Sequence, residues 1–306
     1  MAISVATPEK GIDWVASAFL IGTFVLSITA VPLWIWKFGI TWLDITLFCS
    51  LFLATGMSIT FGYHRHFAHK AFTAAKPIRI LTLFFGAAAF ENSALDWASA
   101  HRRHHKHTDE EEDPYNISKG FFHAHIGWIL FKSKMTPPYD NAKDLQKDPW
   151  IMWQHKYWHL IGATFGFVLP TLIGLVFAKP MDLPLWQGAV AGLLFGGVLR
   201  VTCVQHSTFF INSLCHCVGR RPYDSKCSAR DSWIMALFTF GEGYHNYHHS
   251  FQHDYRNGIK PWQFDPTKWA IWTCSKLGLA GNLRRVEADK ISDAEERNTK
   301  RNAETA

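Results

Sequence analysis

Histidine is unevenly distributed along this 306-residue chain. Ten of the seventeen histidines fall into three short clusters, at residues 64–69, 101–107 and 245–249. A single histidine is ordinarily a surface or hydrogen-bonded side chain, but imidazole also binds iron, copper and zinc well. Three clusters in one chain therefore indicate a metal centre.

Two of the clusters share an H-x-x-H-H spacing. The pattern occurs at His101, His104 and His105, and again at His245, His248 and His249. Residues on a helix are separated by roughly 100°, so the first, fourth and fifth positions of this pattern lie within an arc of about 100°. Each cluster can therefore direct three imidazoles at one point.

The first cluster is less regular. On an ideal α-helix His64 and His69 lie about 140° apart, whereas His66 and His69 share a face. Helix geometry alone therefore favours His66 as the partner of His69.

Long apolar stretches separate the clusters and indicate a membrane protein. The chain is 48% hydrophobic with fourteen tryptophans, yet its mean hydropathy is −0.04. Roughly half of the chain is therefore apolar enough for a membrane, and the other half is polar. A span needs about 20 apolar residues to cross a hydrocarbon core. The candidate spans are residues 15–36, 42–63, 158–178 and 185–204.

These spans predict an all-α integral membrane fold with four transmembrane helices in two hairpins. The polar segments 64–157 and 205–290 form a helical cap that carries the histidines, and residues 1–290 form one domain. The apolar stretch Ile78–Phe90 is too short to span and is predicted to be an interfacial or cap-buried helix. Residues 291–306 are charged and poor in apolar side chains, which predicts a disordered tail.

Most lysines and arginines lie in the cap segments. The positive-inside bias then places both termini and all histidine clusters in the cytoplasm of a lipid bilayer. We expect the bacterial inner membrane rather than the endoplasmic reticulum. The net charge of +6 does not indicate nucleic-acid binding, because the basic residues are interspersed with acids such as Asp109 to Asp113.

Six cysteines form no C-x-x-C pair, which argues against structural disulfides. The run Cys215-His216-Cys217 resembles a fragment of a zinc site. Neighbouring residues on a helix point about 100° apart, however, and rarely bind one ion.

The order and context of the histidine motifs add a family resemblance. H-R-x-x-x-H, H-R-x-H-H and H-N-Y-H-H follow one another around four spans, together with Asn212-Ser213-Leu214-Cys215-His216, Arg221-Pro222-Tyr223-Asp224 and Gly241-Glu242-Gly243. From about Gly62 to Asp254 the chain resembles the membrane-bound fatty acid desaturases, in particular the acyl-CoA delta-9, stearoyl-CoA desaturase-like branch.

The resemblance implies a nonheme di-iron centre that uses dioxygen as co-substrate. Its implied ligands are His64, His69, His101, His104, His105, His216, His245, His248 and His249, with Asn212 binding through a water. In this assignment His66 occupies a variable position, contrary to the helix geometry. Asn212 and His216 are i and i+4, so local geometry supports that pair independently.

An iron and dioxygen site suits the implied chemistry, because side-chain acids and bases cannot remove hydrogen from an unactivated methylene chain. Carboxylates beyond the ligands should hold the imidazole tautomers. The candidates are Asp96, Asp113 and Glu242.

The resemblance also implies an apolar, bent substrate tunnel. Trp97 and Thr208 match residues that line the bend, Glu91 stands where the family usually has glutamine, and Phe52 lies where the tunnel ends. Before the second motif the acyl-CoA enzymes have an acid beside an arginine, and this chain has Ser99-Ala100 there. Acyl-CoA is the first expectation, and acyl-carrier-protein or membrane-lipid substrates stay open.

The chain contains no His-Pro-Gly-Gly haem motif, ferredoxin-type cysteine set or G-x-G-x-x-G. Electrons should therefore come from a separate cytochrome b5-like or ferredoxin-like partner. The leading hypothesis is a fatty acyl delta-9 desaturase. The alternatives are a fatty acyl or alkane hydroxylase of the same superfamily and, in another class, a metal transporter with a histidine-rich loop.

Overall fold

The computed structural model describes residues 11–131 and 139–304. Within these residues, four helices are long and apolar enough to cross a membrane: Trp14–Phe38, Trp42–Ala68, Pro149–Met181 and Leu185–Cys217. We call them the first to fourth spans. They confirm the predicted all-α fold with four candidate transmembrane helices.

Three of the four spans extend beyond their predicted ends and into the cap. The second span continues to Ala68, the third begins at Pro149, and the fourth continues to Cys217. The third span enters the cap through the buried Gln154 side chain, which accepts from Ala94 N at 3.0 Å and donates to the Tyr63 hydroxyl at 2.7 Å. The extensions place His64 and His216 on elements continuous with the spans.

The second span changes its helix type as it leaves the apolar segment. It begins with a capping box, in which the Thr41 hydroxyl and the Asp44 carboxylate each accept from the other residue's backbone N–H. The α-helix Trp42–Met57 is followed by a π-helix over Ser58–Ala68. A π-helix has i→i+5 bonds and changes which side chains share a face.

The third and fourth spans pack closely through glycine. A Cβ added at Gly174 would lie 2.0 Å from the Gly188 carbonyl oxygen, and one at Gly192 would lie 2.1 Å from the Pro170 carbonyl oxygen. Small residues allow such close helix packing in membranes. The third span contains helices Pro149–Ala163 and Leu169–Ala178 around a π-turn, and the fourth contains Leu185–Ala191, Gly192–Leu199 (π), Arg200–Asn212 and Leu214–Cys217.

The cap consists of residues 69–131, 139–148 and 218–304 and is made of short helices. Its helices are Lys76–Ala87, Ala94–Lys106, Ile117–Lys119, His123–Gly127, Trp128–Leu130, Asp140–Ala142, Lys143–Gln146, Trp233–Phe238, His245–Ser250, Pro266–Lys276 and Ala288–Glu304. One antiparallel pair of strands, Thr73–Ala74 and Ala280–Gly281, joins its two halves with Thr73 opposite Gly281. The apolar stretch after residue 75 is a cap helix, as its length predicts.

Arg200 is fully buried and ties three elements together. Its guanidinium donates to the carbonyl oxygens of Gly196 at 2.9 Å, Ala88 at 2.6 Å and Gly166 at 2.7 Å. These bonds join the fourth span to the third span and to the loop at residues 88–93.

The expected disordered tail is wrong for residues 291–304, because helix Ala288–Glu304 packs on the cap. Ile291, Ala294 and Asn298 form one buried face. The Asn298 side chain accepts from Ser225 N at 2.8 Å and donates to the Arg221 carbonyl oxygen at 2.7 Å. A sparse apolar stripe with one buried amide is enough to dock the helix, although its mean composition is highly polar.

Candidate metal centre

Nine histidines from the three motifs and from residue 216 converge in two groups. The five-histidine group contains His64, His69, His101, His105 and His248, and the four-histidine group contains His104, His216, His245 and His249. Within each group the candidate ligand nitrogens lie within 4.8 Å of one another. Both H-x-x-H-H motifs contribute to both groups, so each motif helix lies between them.

The π-helix explains how the first motif joins the centre. The His69 backbone N–H donates to the His64 carbonyl oxygen at 3.0 Å, an i→i+5 bond, and the two imidazole centroids lie 4.7 Å apart. His66 instead lies outside both groups, and its Nδ1 is 3.0 Å from the Phe72 carbonyl oxygen. The preference for His66 that follows from α-helix geometry is therefore wrong, because this segment is not an α-helix.

In the four-histidine group, partners outside the centre fix which nitrogen carries the proton. A carboxylate only accepts, so His104 Nδ1 donates to Asp113 at 2.8 Å. Ser228 donates its hydroxyl to Asp109 at 2.5 Å and therefore accepts from His216 Nδ1 at 2.6 Å. Each Nδ1 is thus a donor, and each Nε2 presents a lone pair to the inside.

His249 follows the same rule. Thr108 donates its hydroxyl to the His104 carbonyl oxygen at 2.8 Å and accepts from His249 Nδ1 at 3.4 Å. The Nε2 atoms of His104 and His249 then face each other at 3.2 Å with a lone pair on each. Two acceptors cannot bond to each other, and a cation between them relieves their repulsion. The donor set therefore fits a metal ion.

The five-histidine group is held by a buried charged network. His64 Nδ1 lies 3.0 Å from Glu242 Oε2, and Glu242 Oε1 accepts from Arg65 Nη2 at 2.9 Å. Arg65 Nη1 also donates to Asp265 at 3.0 Å and to the Tyr255 carbonyl oxygen at 2.8 Å. All of these side chains are almost fully buried. Glu242 therefore fixes the tautomer of His64, and Arg65 compensates the negative charge of Glu242.

Burial keeps the cap imidazoles neutral. It lowers the pKa of His101, His105, His245, His248 and His249 well below the ordinary value, and the neighbouring imidazoles lower it further. Burial raises the pKa of Asp113, but the His104 imidazole and hydrogen bonds outweigh it, so this pKa lies below its ordinary value. Neutral imidazoles held by ionised carboxylates are the form in which histidine binds metals.

Of the three carboxylates expected to hold imidazoles, two contact the centre. Asp113 and Glu242 bond to histidines of the two groups. Asp96 instead accepts from the Ser93 and Tyr139 hydroxyls and lies 3.3 Å from His155 Nδ1. It lies in the first turn of its own helix, where the hydroxyl of the N-cap residue Ser93 accepts from the Asp96 backbone N–H.

A mostly apolar cavity of about 380 Å³ adjoins the centre. His64, His101 and Asn212 line its inner side. Asn212 ends one helix of the fourth span, and Ser213 interrupts the helical geometry before His216, so the predicted shared face of these two residues is not continuous.

Three of the four predicted tunnel residues, Glu91, Trp97 and Thr208, line this cavity. Phe52 is not among the described residues that line it. From the same span, Ile59 and Thr60 line the cavity wall. Phe52 packs against the Phe240 ring at a centroid distance of 5.2 Å.

Several residues of the centre were not identified from the sequence. Ser228 and Thr108 each bond one imidazole, and Asp109 accepts from the Ser228 hydroxyl. The sequence context of all three is that of ordinary loop residues. Arg65 did carry a signal, since it lies in a histidine motif at the end of an apolar span.

Comparisons with known proteins identify the class of protein. The sequence model of the fatty acid desaturases matches residues 40–276, and the chain belongs to this family. It is 42% identical over 239 residues to a probable acyl-CoA desaturase of Schizosaccharomyces pombe, covering 78% of this chain and 48% of that protein.

Two further relatives differ in how much of their own length the chain covers. Acyl-CoA desaturase 1 of Saccharomyces cerevisiae is 41% identical, over 82% of this chain and 48% of that protein. The sn-1 stearoyl-lipid 9-desaturase of Anabaena variabilis is 31% identical, over 94% of this chain and 99% of that protein. The chain therefore spans about half the length of the yeast relatives and nearly the whole cyanobacterial one.

Proposed function

We propose that this chain is an oxygen-dependent fatty acyl desaturase that introduces a cis double bond, at delta-9, into a saturated acyl chain. The observation that carries the proposal is the convergence of nine buried histidines into two adjacent groups beside an apolar cavity. Family membership and the names of the relatives support it.

The two groups would hold two iron ions. His64, His69, His101, His105 and His248 would bind one, and His104, His216, His245 and His249 would bind the other, with Asn212 completing the shell through a water. Bound iron would supply the activation of dioxygen that abstraction of hydrogen from an unactivated methylene requires. The overall reaction removes two hydrogens from the acyl chain and reduces dioxygen to two waters, with two protons and two electrons from a donor.

The chain's own residues would bind and orient the substrate. The apolar cavity would exclude water from the acyl chain, and His64 and His101 would lie against it. The Trp97 ring stacks on His101 at 4.8 Å and lies 5.9 Å from His64. Trp97 would therefore fix the distance between the acyl chain and the five-histidine group.

The substrate carrier is proposed from the relatives. Two of them are named as acyl-CoA desaturases and one as a desaturase of stearoyl lipids. Acyl-CoA is our first proposal. Because Ser99-Ala100 stands where the acyl-CoA enzymes have charged residues, an assay with each carrier in turn should also include acyl-carrier-protein and lipid substrates.

Electrons would come from a separate cytochrome b5-like or ferredoxin-like protein. The four apolar helices indicate a membrane protein. We propose that the cap and its histidines face the cytoplasm, since most Lys and Arg residues lie there, and that the membrane is the bacterial inner membrane.

Expression in a host that lacks unsaturated fatty acids tests the function. Lipid mass spectrometry with double-bond localisation should show a delta-9 cis double bond that depends on the intact chain. Hydroxylated acyl chains would favour the hydroxylase alternative. Two tightly bound irons per chain would exclude the transporter alternative.

A further inference from the structure

A carboxyl group, Glu91, lies in the wall of the apolar cavity and is bonded only by neutral side chains. Trp97 Nε1 donates to Glu91 Oε2 at 3.2 Å, and the Thr208 hydroxyl donates to Glu91 Oε1 at 2.8 Å. Both donors also line the cavity. Glu91 therefore belongs to the surface that an acyl chain would contact.

The backbone holds Glu91 in this position at a conformational cost. Its two neighbours, Phe90 and Asn92, have φ values of 57° and 71°, in the left-handed region. Asparagine tolerates this region, but a bulky residue such as Phe90 rarely occupies it. The Ala88 carbonyl oxygen accepts from Arg200 at 2.6 Å, and the Phe90 carbonyl oxygen accepts from Gln205 at 3.2 Å. Two side chains of the fourth span thus clamp the loop that directs Glu91 inward.

Other titratable groups face this region from every adjoining element. The second span contributes Tyr63 and His64, and the helix after the loop contributes Asp96 and His101. The remaining cavity-lining groups are Asp13, Tyr115, His159 and Glu242. The Arg200 guanidinium bonds backbone carbonyl oxygens. Glu91 therefore has no ion-pair partner within the described residues.

A carboxylate in this position is stable only while water or strong donors solvate it. Burial raises the pKa of Glu91 to about 8, although the Thr208 and Trp97 hydrogen bonds lower it. An acyl chain that fills the cavity would displace the remaining water and disfavour the charge further. The neutral acid would then be the form that lies against methylenes.

We propose that binding of an acyl chain in this cavity is coupled to the uptake of one proton by Glu91. The inference rests on the proposed function, since it requires the cavity to bind acyl chains. The proton comes from solvent and binds a carboxylate oxygen of Glu91. It returns to solvent when the chain leaves, and no electrons move.

The coupling fixes how affinity depends on pH. Below a pH of about 8 Glu91 is already neutral, and binding takes up little or no proton. Above that pH the empty cavity contains a carboxylate, and each further pH unit weakens acyl binding by up to about tenfold. A low-pH preference for binding follows directly from the raised pKa of an acid.

Calorimetry on the metal-loaded, detergent-solubilised protein without reductant tests the proposal. The probe is methyl octadecanoate, which has no titrating group. Titrations in two buffers with different ionisation enthalpies count the protons taken up. We expect close to none at about pH 6 and up to one per chain at about pH 9.

Glu91→Gln should keep the neutral hydrogen bonds, bind the probe at both pH values and take up no proton. Asp96→Asn is the matched control, since it removes another carboxyl of the same cavity and should leave the uptake unchanged. In the unmodified protein, infrared difference spectra at the higher pH should lose the carboxylate stretching bands of one side chain, a signal to which the ester probe does not contribute. This spectrum does not depend on any variant folding.

Two results would overturn the proposal while leaving the function intact: probe binding without proton uptake, or the same uptake in Glu91→Gln. If the probe does not bind at any pH, the acyl assignment of the cavity fails, and the coupling fails with it.

Discussion

The five-histidine and four-histidine groups are held by different means. The five-histidine group relies on ligand number and on the buried ion pair between Glu242 and Arg65. The four-histidine group has fewer imidazoles, but three of them have a separate outer partner in the cap. One group is therefore joined to the second span by a buried ion pair, and the other depends on single hydrogen bonds from residues of the cap. The difference predicts which substitutions damage which group.

The largest expected effect comes from removing a ligand. His101→Ala and His245→Ala should each abolish activity and lower the iron content while membrane insertion stays intact. Loss of His101 leaves four imidazoles in its group, whereas loss of His245 leaves three, so His245→Ala should retain less iron. Metal analysis of purified protein measures this difference. Normal iron and turnover in both variants would refute the di-iron assignment.

Two substitutions in the first motif test whether the π-helix decides which of its histidines bind metal. His69→Ala should lose activity and iron, whereas His66→Ala should keep substantial activity, because His66 bonds a backbone carbonyl outside both groups. Turnover and iron content of the two variants, prepared in parallel, measure this. The reverse order would mean that the π-helix does not position the ligands.

The two carboxylates should behave alike toward metal and differently toward stability. Asp113→Asn and Glu242→Gln should each weaken metal binding by about 10–100-fold, because each replaces the charged acceptor of an imidazole N–H with a neutral amide oxygen that holds it more weakly. Glu242→Gln also leaves Arg65 with a single buried carboxylate and should lower the free energy of unfolding by about 3 kcal/mol. Metal titration and thermal unfolding of the metal-free proteins distinguish the two effects. Equal losses of stability in the two variants would argue against the different support proposed for the two histidine groups.

The smallest effect is expected at a single outer hydrogen bond. Ser228→Ala removes the acceptor of His216 Nδ1 and should weaken metal binding at the four-histidine group by about 1 kcal/mol, roughly fivefold. Ser207→Ala is the control, since its hydroxyl only bonds the Cys203 carbonyl oxygen on its own helix. Metal titration of both variants shows the difference. A larger loss than that of Asp113→Asn would mean that Ser228 supports more than one imidazole.

The sequence predicts the fold class because apolar length and histidine spacing are local signals. The four spans and the two H-x-x-H-H helices follow from helix periodicity, and the structure has both. The family resemblance supplied His64 and His216, which periodicity alone left open. The structure brings both into the two groups.

The remaining differences arise where tertiary packing overrides a local pattern. A π-helix cannot be seen in the spacing of His64, His66 and His69, so the α-helix prediction chose the wrong residue. The helix at Ala288–Glu304 is stabilised by three buried side chains against a distant loop, which composition does not reveal. The outer partners Thr108 and Ser228 are brought to the centre by the chain's long-range packing.

The π-helix at Ser58–Ala68 makes the centre sensitive to residue count as well as residue identity. Deleting one residue between Ser58 and Tyr63 would shorten the span by only about 1.5 Å, well within what a bilayer tolerates. The same deletion would return the segment to α-helical register, in which His64 and His69, still five residues apart, would lie about 140° apart instead of side by side. His64 and His69 would then no longer face one metal ion, although every histidine of the family motif would still be present. In this chain, the loss of one residue from this segment would therefore matter as much as the substitution of a ligand.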